Sequence, residues 1–373
     1  MKKALILSSH TPSLFRFRED LMKDIKAEGY EVYAAGQMPE SDWTELFSVI
    51  GILYRQIRVS RNGLNLLDDV ATYRDIKRLL KEIKPDKILV YQAKTVSYGC
   101  RAAASLGITE VYTLIGGLGS VYRGHGLKNK IVKSIMSTLY KQAFARSKKV
   151  FIQNNDDKQT LLNDGLLKED KLVMIHGSGV NVEKFMPSEL PMIPTCLFVG
   201  RLIKDKGVCE YLEACKIIKA KYGNKVRCLL VGPYDSNPST INPEELQPYV
   251  EQGIVEYYGE QKDVRPFIDQ CSIFVLPSYH EGIPKSTLEA MAKGRAIITT
   301  NAPGCKETVV DGANGYLTEV KNVTDLTGKM LLLIEHPEIV AAMGKKSREM
   351  ACDIFDVRKV NDTILQTMGI RGS

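Results

Sequence analysis

Two glutamates lie eight residues apart in the stretch HEGIPKSTLEAMAKG, residues 280–294. The preceding run CSIFVLPS predicts a buried strand, so Glu281 belongs to the loop at the carboxyl end of that strand, where parallel sheets bind ligands. Pro284 suits the first position of a helix, and the residues after it are good helix formers. The exposed backbone N–H groups of such a helix start attract anions, which predicts an anion site between the two carboxylates.

The spacing of Glu281 and Glu289 fits a ligand with an anion at its centre. Glu289 lies more than one turn inside the predicted helix, where a carboxylate can accept two hydrogen bonds from a diol such as a ribose. The N–H groups of residues 283–287, helped by the Ser286 and Thr287 hydroxyls, would bind a diphosphate. Glu281 would then face the group attached beyond it. Taken alone, the pair also fits two unrelated surface glutamates.

Two other kinds of carboxylate site fit this pair less well. A metal site would have an Asp-x-Asp motif or a histidine cluster nearby, and neither accompanies the two glutamates. A retaining glycosidase holds its two carboxyl groups about 5 Å apart, whereas eight residues that span a helix start separate them further. The sequence therefore predicts that no metal is bound here.

A second motif, FVGRLIKDKG at residues 198–207, supplies positive charge. Arg201 and Lys206 follow a strand-like run, so they too are expected at the carboxyl edge of a sheet. An arginine can bind two phosphate oxygens at once, and a lysine adds a point charge. Together with the glutamate motif, these cations predict a metal-free site for a nucleoside diphosphate.

Strand-like and helix-like segments alternate along the 373-residue chain in two successive series, which predicts two parallel, doubly wound α/β sheets. The proline-rich stretch MPSELPMIPT separates the two series. It predicts domains at residues 1–186 and 187–352, followed by a C-terminal helix within 353–373. No apolar segment approaches the roughly 20 residues that span a bilayer. The eight cysteines are scattered without a CxxC pair, as in reduced cytoplasmic proteins.

Residues 111–152 contain eight basic residues and no acidic residue. Apolar residues recur among them at helical spacing, so the segment predicts an amphipathic helix. Its basic face is either a solvated surface above a core stripe or a surface that lies on anionic lipid. Nucleic acid is a less suitable partner, because nothing here resembles a recognition module and the aromatic residues do not cluster with the basic ones.

In the order of its motifs, the second half of the chain resembles the retaining GT-B glycosyltransferases of family 4. The likeness rests on GRLIKDKG, LLVG, YYGEQKDV and the run LPSYHEGIPKSTLEAMAKGRAIITTNAPGCKETVVDGANGYL, in which Glu281 and Glu289 form the E-x7-E motif. The resemblance implies a GT-B fold with two Rossmann-like, doubly wound parallel-sheet domains that face a cleft. It also implies a nucleotide-sugar donor in the second domain, an acceptor in the first, transfer with retention, and neither metal nor other cofactor.

The resemblance also assigns roles to individual residues. Glu289 would hold the ribose, and the catalytic set would be Glu281, facing the transferred sugar, with Arg201 and Lys206, which neutralise the leaving diphosphate. The C-terminal helix would cross back onto the first domain. The expected donor-binding residues are Gly200, Arg201, Lys206, Gly259, Lys262, Glu281, Gly282, Ile283, Pro284, Lys285, Ser286, Thr287 and Glu289.

The loops of the first half look like those of the subgroup that extends undecaprenyl-diphosphate-linked sugars in polysaccharide, O-antigen and glycan assembly. GLGS followed by an aromatic residue and a basic amphipathic helix carries this likeness, which favours the lipid-facing interpretation of that helix. The candidate acceptor-binding residues are Lys94, Gly117, Gly119, Ser120, Arg123 and Arg16, with Arg18 as a further candidate. The candidate membrane-facing residues are Lys128, Lys130 and Lys133.

These observations predict a retaining glycosyltransferase at the inner face of the cytoplasmic membrane. It would move a hexose or N-acetylhexosamine to a polyprenyl-diphosphate-linked sugar in cell-surface polysaccharide biosynthesis. The PGCKE form of the loop at residues 303–307 is commonest among UDP-sugar users of the subgroup, so a UDP-linked donor is expected. A transferase with a soluble acceptor and a nucleotide-sugar 2-epimerase are the alternatives.

Overall fold

The computed structural model describes residues 1–59, 66–119, 122, 126–235 and 237–372, apart from the side chains of Leu66, Leu127 and Lys128. The chain forms two compact units. The first unit comprises Met1–Ser178 and Lys359–Ser373, and the second comprises Gly179–Arg358. Each unit contains one parallel β-sheet, which confirms the predicted α/β class with two Rossmann-like domains.

The first unit has a seven-stranded sheet in the order β3-β2-β1-β4-β5-β6-β7. Its strands are β1 (Lys3–Ser8), β2 (Glu31–Gly36), β3 (Leu53–Gln56), β4 (Lys87–Tyr91), β5 (Val111–Ile115), β6 (Lys149–Ile152) and β7 (Leu172–Met174). The helices before β7 are α1 (Thr11–Ala27), α2 (Glu40–Val49), α3 (Leu66–Ile83), α4 (Ala93–Ala104), α5 (Leu127–Arg146) and α6 (Asn155–Asn163).

Buried side chains hold helices against both faces of this sheet. Strand β1 is buried along five of its six residues, as a central parallel strand covered on both faces should be. One core layer joins the sheet to α3, α4 and α5, and the other joins it to α1 and α2. The strand order reverses between β1 and β4, so the carboxyl ends of these strands form the crevice where such sheets bind ligands.

The second unit has a six-stranded sheet in the order β10-β9-β8-β11-β12-β13. Its strands are β8 (Thr195–Val199), β9 (Arg227–Val231), β10 (Glu256–Tyr257), β11 (Ile273–Leu276), β12 (Ala296–Thr300) and β13 (Gly315–Thr318). The helices that follow β8 are α7 (Val208–Tyr222), α8 (Pro243–Glu251), α9 (Arg265–Asp269), α10 (Lys285–Ala292), α11 (Val323–Glu335), α12 (Pro337–Asp353) and α13 (Val357–Thr367).

In the second sheet the strand order reverses between β8 and β11. The cationic motif follows β8 and the glutamate motif follows β11, so both lie at the carboxyl ends that flank the switch point. The strands themselves are buried throughout, as continuous apolar runs in a parallel sheet require. The fold thus brings together two motifs that are about 80 residues apart in sequence.

The two units divide the chain at positions that differ from the predicted domain boundaries at residues 186 and 352. The second unit begins at Gly179, because Val180 pairs with a later segment of that unit. The Val180 N–H donates to the Phe355 carbonyl at 2.8 Å, and the Val357 N–H donates to the Val180 carbonyl at 2.9 Å. From Lys359 onward the chain belongs to the first unit, where Ile364 and Leu365 are fully buried.

Within the described part of the chain, no helix combines the length and the apolar content that crossing a bilayer requires.

Candidate active site

The loop after β11 leads into α10 and contains Glu281. Helix α10 begins at Lys285, one residue later than predicted, because Pro284 has extended backbone angles and serves as the N-cap. The Thr287 and Leu288 N–H groups donate to the Pro284 carbonyl, at 3.1 and 3.2 Å. The amides of a first helical turn point out of the helix, which makes the start of α10 a place where an anion can be bound. Glu289 lies one turn further and is partly buried.

Lys206 and Glu281 are in direct contact. The Lys206 ammonium donates to Glu281 Oε1, and the same oxygen accepts a 2.8 Å hydrogen bond from the Ser278 hydroxyl. Both charged side chains are mostly buried, with 19% and 12% of their surface exposed. The structure therefore brings together two of the residues that the sequence assigned to catalysis.

Close backbone packing fixes Lys206 beside the loop after β11. Lys206 ends a short 3-10 turn, and Gly207 follows it with a left-handed φ of +73°. A β-carbon at Gly207 would overlap with the Pro277 carbonyl oxygen, so only glycine permits this approach. The turn that contains Lys206 therefore packs directly against the loop that contains Glu281.

Arg201 is paired with a carboxylate that the sequence analysis did not single out. Its Nη1 donates to Asp235 Oδ2 at 2.8 Å. The Arg201 side chain is 38% exposed and that of Asp235 is 11% exposed, so the aspartate is held inside while part of the guanidinium faces outward. Asp235 lies in the stretch PYDS after β9, and an acid just beyond a carboxyl edge was the available signal.

The loop that follows β12 supports the backbone at Glu281. The Glu281 N–H donates to the Pro303 carbonyl at 2.9 Å. Gly304 has a φ of +79°, and a β-carbon there would overlap with the carbonyl oxygens of Gly282 and Glu281. The neighbouring Cys305 thiol is buried, which raises its pKa to about 12 and leaves it in the unreactive thiol form.

The two hydroxyls at the start of α10 differ in their surroundings. The Ser286 hydroxyl donates to the Val199 carbonyl at 3.0 Å, which ties the helix start to the end of β8. Thr287 is fully buried. Among the described residues the Thr287 hydroxyl has no hydrogen-bond partner, so its help in binding an anion, like that of Ser286, stays a prediction. Backbone amides remain the donors at this junction.

Three glycines lie side by side at the carboxyl ends of β8, β9 and β10. The Gly200 N–H donates to the Val231 carbonyl at 3.0 Å, and the Gly232 N–H donates to the Gly259 carbonyl at 2.8 Å. A β-carbon at Gly232 would overlap with the Gly200 carbonyl. The three glycines add no side chains to this edge, where the Tyr257 hydroxyl donates to the Gly232 carbonyl at 3.0 Å. Lys262, also predicted to bind the donor, is exposed on the next loop.

Tyr279 is held beside the same loop by two hydrogen bonds. Its N–H donates to the Asp205 carbonyl at 2.9 Å, and its hydroxyl donates to Glu210 Oε1 at 2.6 Å. Burial and the hydrogen bond to Glu210 raise the pKa of Tyr279, so its hydroxyl keeps its proton at neutral pH. The tyrosine therefore joins the Lys206 turn to the glutamate loop and takes no part as a base.

The candidate acceptor residues of the first unit differ in how their charges are balanced. Lys94, on the first turn of α4, pairs with Asp69 at 2.9 Å, and both side chains are nearly buried. Arg16 is exposed on α1, and Gly117 and Gly119 follow β5 with positive φ angles. Ser120 and Arg123 lie outside the described residues. Lys94 is thus neutralised by a carboxylate within its own unit.

Helix α5 exposes apolar side chains beside its lysines. Ile131 is 54% exposed and Ile135 is 41% exposed, so these two apolar residues of the helical pattern lie outside the core. Phe144, in the last turns, is fully buried as expected. Lys130 is exposed, and Lys133 is half-exposed with its ammonium 3.5 Å from Asp164. The Lys128 side chain is outside the described residues. The first turns of α5 therefore present a mixed apolar and basic surface.

Two protein-family profiles match the chain. The profile described as glycosyl transferases group 1 matches residues 193–336, and the one described as glycosyl transferase 4-like matches residues 5–154. The first lies within the second unit and contains all the motifs on which the candidate site was predicted. The second covers most of the first unit.

Individual proteins match over nearly the whole chain. It is 30% identical over 359 residues to the N,N'-diacetylbacillosaminyl-diphospho-undecaprenol alpha-1,3-N-acetylgalactosaminyltransferase of Campylobacter jejuni, covering 92% of this chain and 93% of that protein. It is 24% identical to the UDP-Gal:alpha-D-GlcNAc-diphosphoundecaprenol alpha-1,3-galactosyltransferase of Escherichia coli, with 81% and 80% covered. A solved glycosyltransferase structure from Rickettsia africae matches at a TM-score of 0.77 and 19% identity over 100% of both chains. This likeness confirms the predicted GT-B fold.

Proposed function

The chain belongs to the group 1 glycosyltransferases, and we propose that it moves a hexose or N-acetylhexosamine from a UDP-sugar to a sugar carried on a polyprenyl diphosphate. The names of both relatives describe transfer to undecaprenyl-diphosphate-linked sugars, and one of them specifies a UDP-linked donor. The 30% identity extends through both units, so it supports the acceptor class as well as the donor site.

The contact between Lys206 and Glu281 is the observation that carries the donor half of the proposal. In a sugar diphosphate, a neutral ring with hydroxyl groups is joined directly to a strong anion. A site for it needs a carboxylate for the hydroxyls next to a cation for the phosphates. Lys206 and Glu281 meet this requirement, and the amides at the start of α10 add donors at the same junction.

The carboxylates beside the two cations fit a site that binds its anion reversibly. Arg201 faces Asp235 and Lys206 faces Glu281, so neither cation is buried without a counter-charge before the donor binds. A diphosphate brings two or more negative charges and offers bidentate oxygens to the exposed part of Arg201. The site would thus exchange one set of ion pairs for another when the donor arrives.

The proposed reaction proceeds with retention at the sugar. The bond between the anomeric carbon and the diphosphate oxygen breaks, a bond to the acceptor hydroxyl oxygen forms on the same face, and the hydroxyl proton passes to the leaving diphosphate. Arg201, Lys206 and the α10 amides stabilise the charge that develops on the departing oxygen. Both relatives are named for alpha-linked products, which retention at an alpha-linked nucleotide-sugar would give. The cations take the place of a metal in this scheme.

We place the reaction at a membrane surface on the cytoplasmic side, because the acceptor is a lipid. Ile131 and Ile135 would enter the interfacial region, and Lys130 with Lys133 would contact anionic headgroups. Each surface lysine adds about 1 kcal/mol of attraction to such a membrane. Exposed isoleucines at i and i+4 beside lysines favour this assignment over a purely solvated face.

One incubation series tests the proposed function. The protein is supplied with UDP- and GDP-sugars and with short polyprenyl-diphosphate-linked sugars, with and without EDTA, and products are identified by mass. We expect a mass increase of one sugar on the lipid acceptor, with a UDP-sugar and in EDTA. Lys206→Met should abolish it, while Lys204→Met, which removes an exposed lysine of the same turn, should not.

Three other outcomes would each contradict a part of the proposed function. Transfer to a sugar phosphate but to no lipid-linked acceptor would overturn the acceptor class and leave a transferase with a soluble acceptor. A changed sugar released without any acceptor would identify a nucleotide-sugar 2-epimerase. Loss of transfer in EDTA that added magnesium restores would contradict the metal-free donor site.

A further inference from the structure

Arg18 is a buried cation in the first unit, on the core-facing side of α1. The residues around it on the same stripe are Leu14, Leu21, Met22 and Ile25, all of them buried. Arg18 itself is only 3% exposed. A position in such a stripe would ordinarily hold an apolar residue, because burying an arginine costs several kcal/mol unless its charge is balanced.

No carboxylate in the described part of the chain balances this charge. Arg18 forms no ion pair, and its Nε and Nη1 atoms are buried without a hydrogen-bond partner. Its guanidinium carbon lies 5.5 Å from the centre of the Tyr91 ring, a cation–π contact that offers no acceptor for those N–H groups. Burial accordingly lowers the pKa of Arg18. Lys94, by contrast, has Asp69.

The arginine lies next to the switch point of the first sheet. Side chains on a helix lean toward its amino end, and the amino end of α1 follows the carboxyl end of β1. Tyr91 is the last residue of β4 and is paired in the sheet with Ser8, the last residue of β1. The guanidinium is therefore held by the strand ends at which a sheet of this order binds its ligand.

A chain of hydrogen bonds continues from Tyr91 to the sheet edge. The hydroxyls of Tyr91 and Ser13 are 3.0 Å apart, and those of Ser13 and Ser8 are 3.3 Å apart. The Ser8 and Ser9 hydroxyls both donate to Gln92 Oε1, each at 2.8 Å. The Gln92 Nε2 donates one hydrogen bond back into the network, to the Ser13 hydroxyl at 3.3 Å. The second N–H group of this amide has no hydrogen-bond acceptor within the network and is the one available to a ligand.

Gln92 is held in a strained conformation. Its φ is +71° and its ψ is 145°, a combination that residues other than glycine rarely adopt. Such strain costs about 1–3 kcal/mol and is commonly found where a side chain must be aimed at a ligand. Two features of the same edge, a buried cation that lacks an anion and a strained, doubly anchored amide, thus point to one ligand.

We propose that Arg18 and Gln92 form an anion-binding site at the carboxyl ends of β1 and β4, and that it takes a phosphate group of the lipid-linked acceptor. This assignment rests on the proposed function, which places a diphosphate in the acceptor. Arg18 supplies the charge and Gln92 a neutral donor. The same chemistry would also bind free phosphate or pyrophosphate, so the test compares these with the lipid.

Binding and kinetics are measured on Arg18→Met, with Lys23→Met as the matched control. Met has nearly the length of the arginine stem and no charge, and Lys23 is a cation on the exposed side of the same helix, paired with Glu19. Binding of inorganic pyrophosphate, inorganic phosphate and a short prenyl diphosphate is measured by calorimetry with UDP at saturation, so that the site in the second unit is occupied. The acceptor KM, the donor KM and the melting temperature are measured in parallel.

We expect Arg18→Met to raise the acceptor KM and the Kd of pyrophosphate and prenyl diphosphate at least about tenfold, the effect of one lost charge-assisted hydrogen bond. The donor KM should stay unchanged, and the melting temperature should stay unchanged or rise, because an unbalanced buried charge is removed. Arg18→Lys keeps the charge, so its acceptor KM should lie between those of the wild-type protein and Arg18→Met. It serves as the test if Arg18→Met does not fold. Tighter binding of prenyl diphosphate than of pyrophosphate identifies the lipid as the source; equal binding identifies the free anion and overturns that part.

A structural role for Arg18 gives the opposite pattern. If Arg18→Met lowers the melting temperature and matches Lys23→Met in acceptor KM and pyrophosphate binding, Arg18 only packs on Tyr91 and the inference is overturned. If the wild-type protein binds pyrophosphate through Arg18 but transfers no sugar, the anion site stands and the proposed function falls. The two failures are therefore distinguishable.

Discussion

The two sheets treat the positive charge at their switch points in opposite ways. In the second unit, Arg201 and Lys206 each face a carboxylate, and all four side chains keep some exposed surface. In the first unit, Arg18 is enclosed and faces an aromatic ring. An ion pair that keeps some exposed surface can exchange one partner for another, whereas an enclosed cation without a counter-charge is stabilised when an anion binds. We infer that the second unit is arranged to release its ligand each cycle and the first to select its ligand by charge.

The strongest way to break this comparison is to remove a cation of the second unit. Lys206→Ala should lower kcat at least about 100-fold, or about 3 kcal/mol, because the developing charge on the leaving diphosphate loses a donor. Arg201→Ala should act in the same direction. Steady-state rates at saturating donor measure both, with Lys204→Ala as the control. Near-native turnover in either variant would remove diphosphate stabilisation from the mechanism.

The next test concerns backbone packing in the second unit, where the loop after β12 is in direct contact with the loop that contains Glu281. Gly304→Ala should lower the free energy of unfolding by about 2 kcal/mol or more, since a β-carbon would overlap with two carbonyl oxygens. Gly312→Ala is the matched control: its φ of +77° is nearly the same, but no atom lies within 4 Å of the added carbon. Equal losses in urea denaturation would show that backbone strain alone, and not the contact with Glu281, requires glycine.

Glu289 should affect donor binding more than turnover. Glu289→Ala should raise the donor KM about tenfold with little change in kcat, because a ribose contact exists before and during transfer alike. Glu349→Ala, which removes an exposed glutamate of α12, provides the control. A large fall in kcat at saturating donor would assign Glu289 to the transition state and contradict its role as a binding residue.

The smallest expected effect concerns the surface of α5. Lys130→Gln should weaken binding to vesicles containing anionic lipid about fivefold, the effect of one lost headgroup contact of about 1 kcal/mol. Transfer to a soluble short-chain acceptor should be unaffected. Vesicle sedimentation measures the first quantity, and Lys141→Gln in the later turns of the same helix is the comparison. Vesicle binding that is insensitive to Lys130, Ile131 and Ile135 together would remove α5 from the membrane surface.

The sequence predicts the fold and the site best where short motifs and regular apolar spacing are present. Apolar periodicity and glycine stops in the sequence predict strands at KALILS and TCLFVG and helices at residues 66–83 and 208–222, and the structure has all four elements. The glutamate and cation motifs could be placed at carboxyl edges for the same reason. The structure adds the contact between Lys206 and Glu281, which sequence spacing suggested but could not establish.

The remaining features depend on tertiary pairing and therefore left weaker signals. Asp235 pairs with Arg201 across 34 residues, and its place just beyond the carboxyl end of β9 is a weak signal in the sequence. The sequence predicts helix from residue 324 to 368 without showing where it is interrupted, and the structure has three helices there, α11, α12 and α13. Arg18 did leave a signal, since it occupies a stripe with Leu14 and Leu21 at helical spacing. Ile131 and Ile135 also fit a helical period, yet both are exposed. Periodicity predicts that a helix has an apolar face, but not what covers that face.

The chain returns to the first unit at Lys359, so the two units complete their folding in a fixed order during synthesis. Residues 1–178 are translated before the second unit, yet their core is completed by Val360, Ile364, Leu365 and Met368, which are translated after it. The hydroxyl of Tyr112 gains its bond to the Met368 carbonyl only then. The second unit is contiguous and can close as soon as it leaves the exit tunnel. A polypeptide stopped near residue 358 would therefore carry a finished carboxyl-terminal half and an amino-terminal half with an open seam.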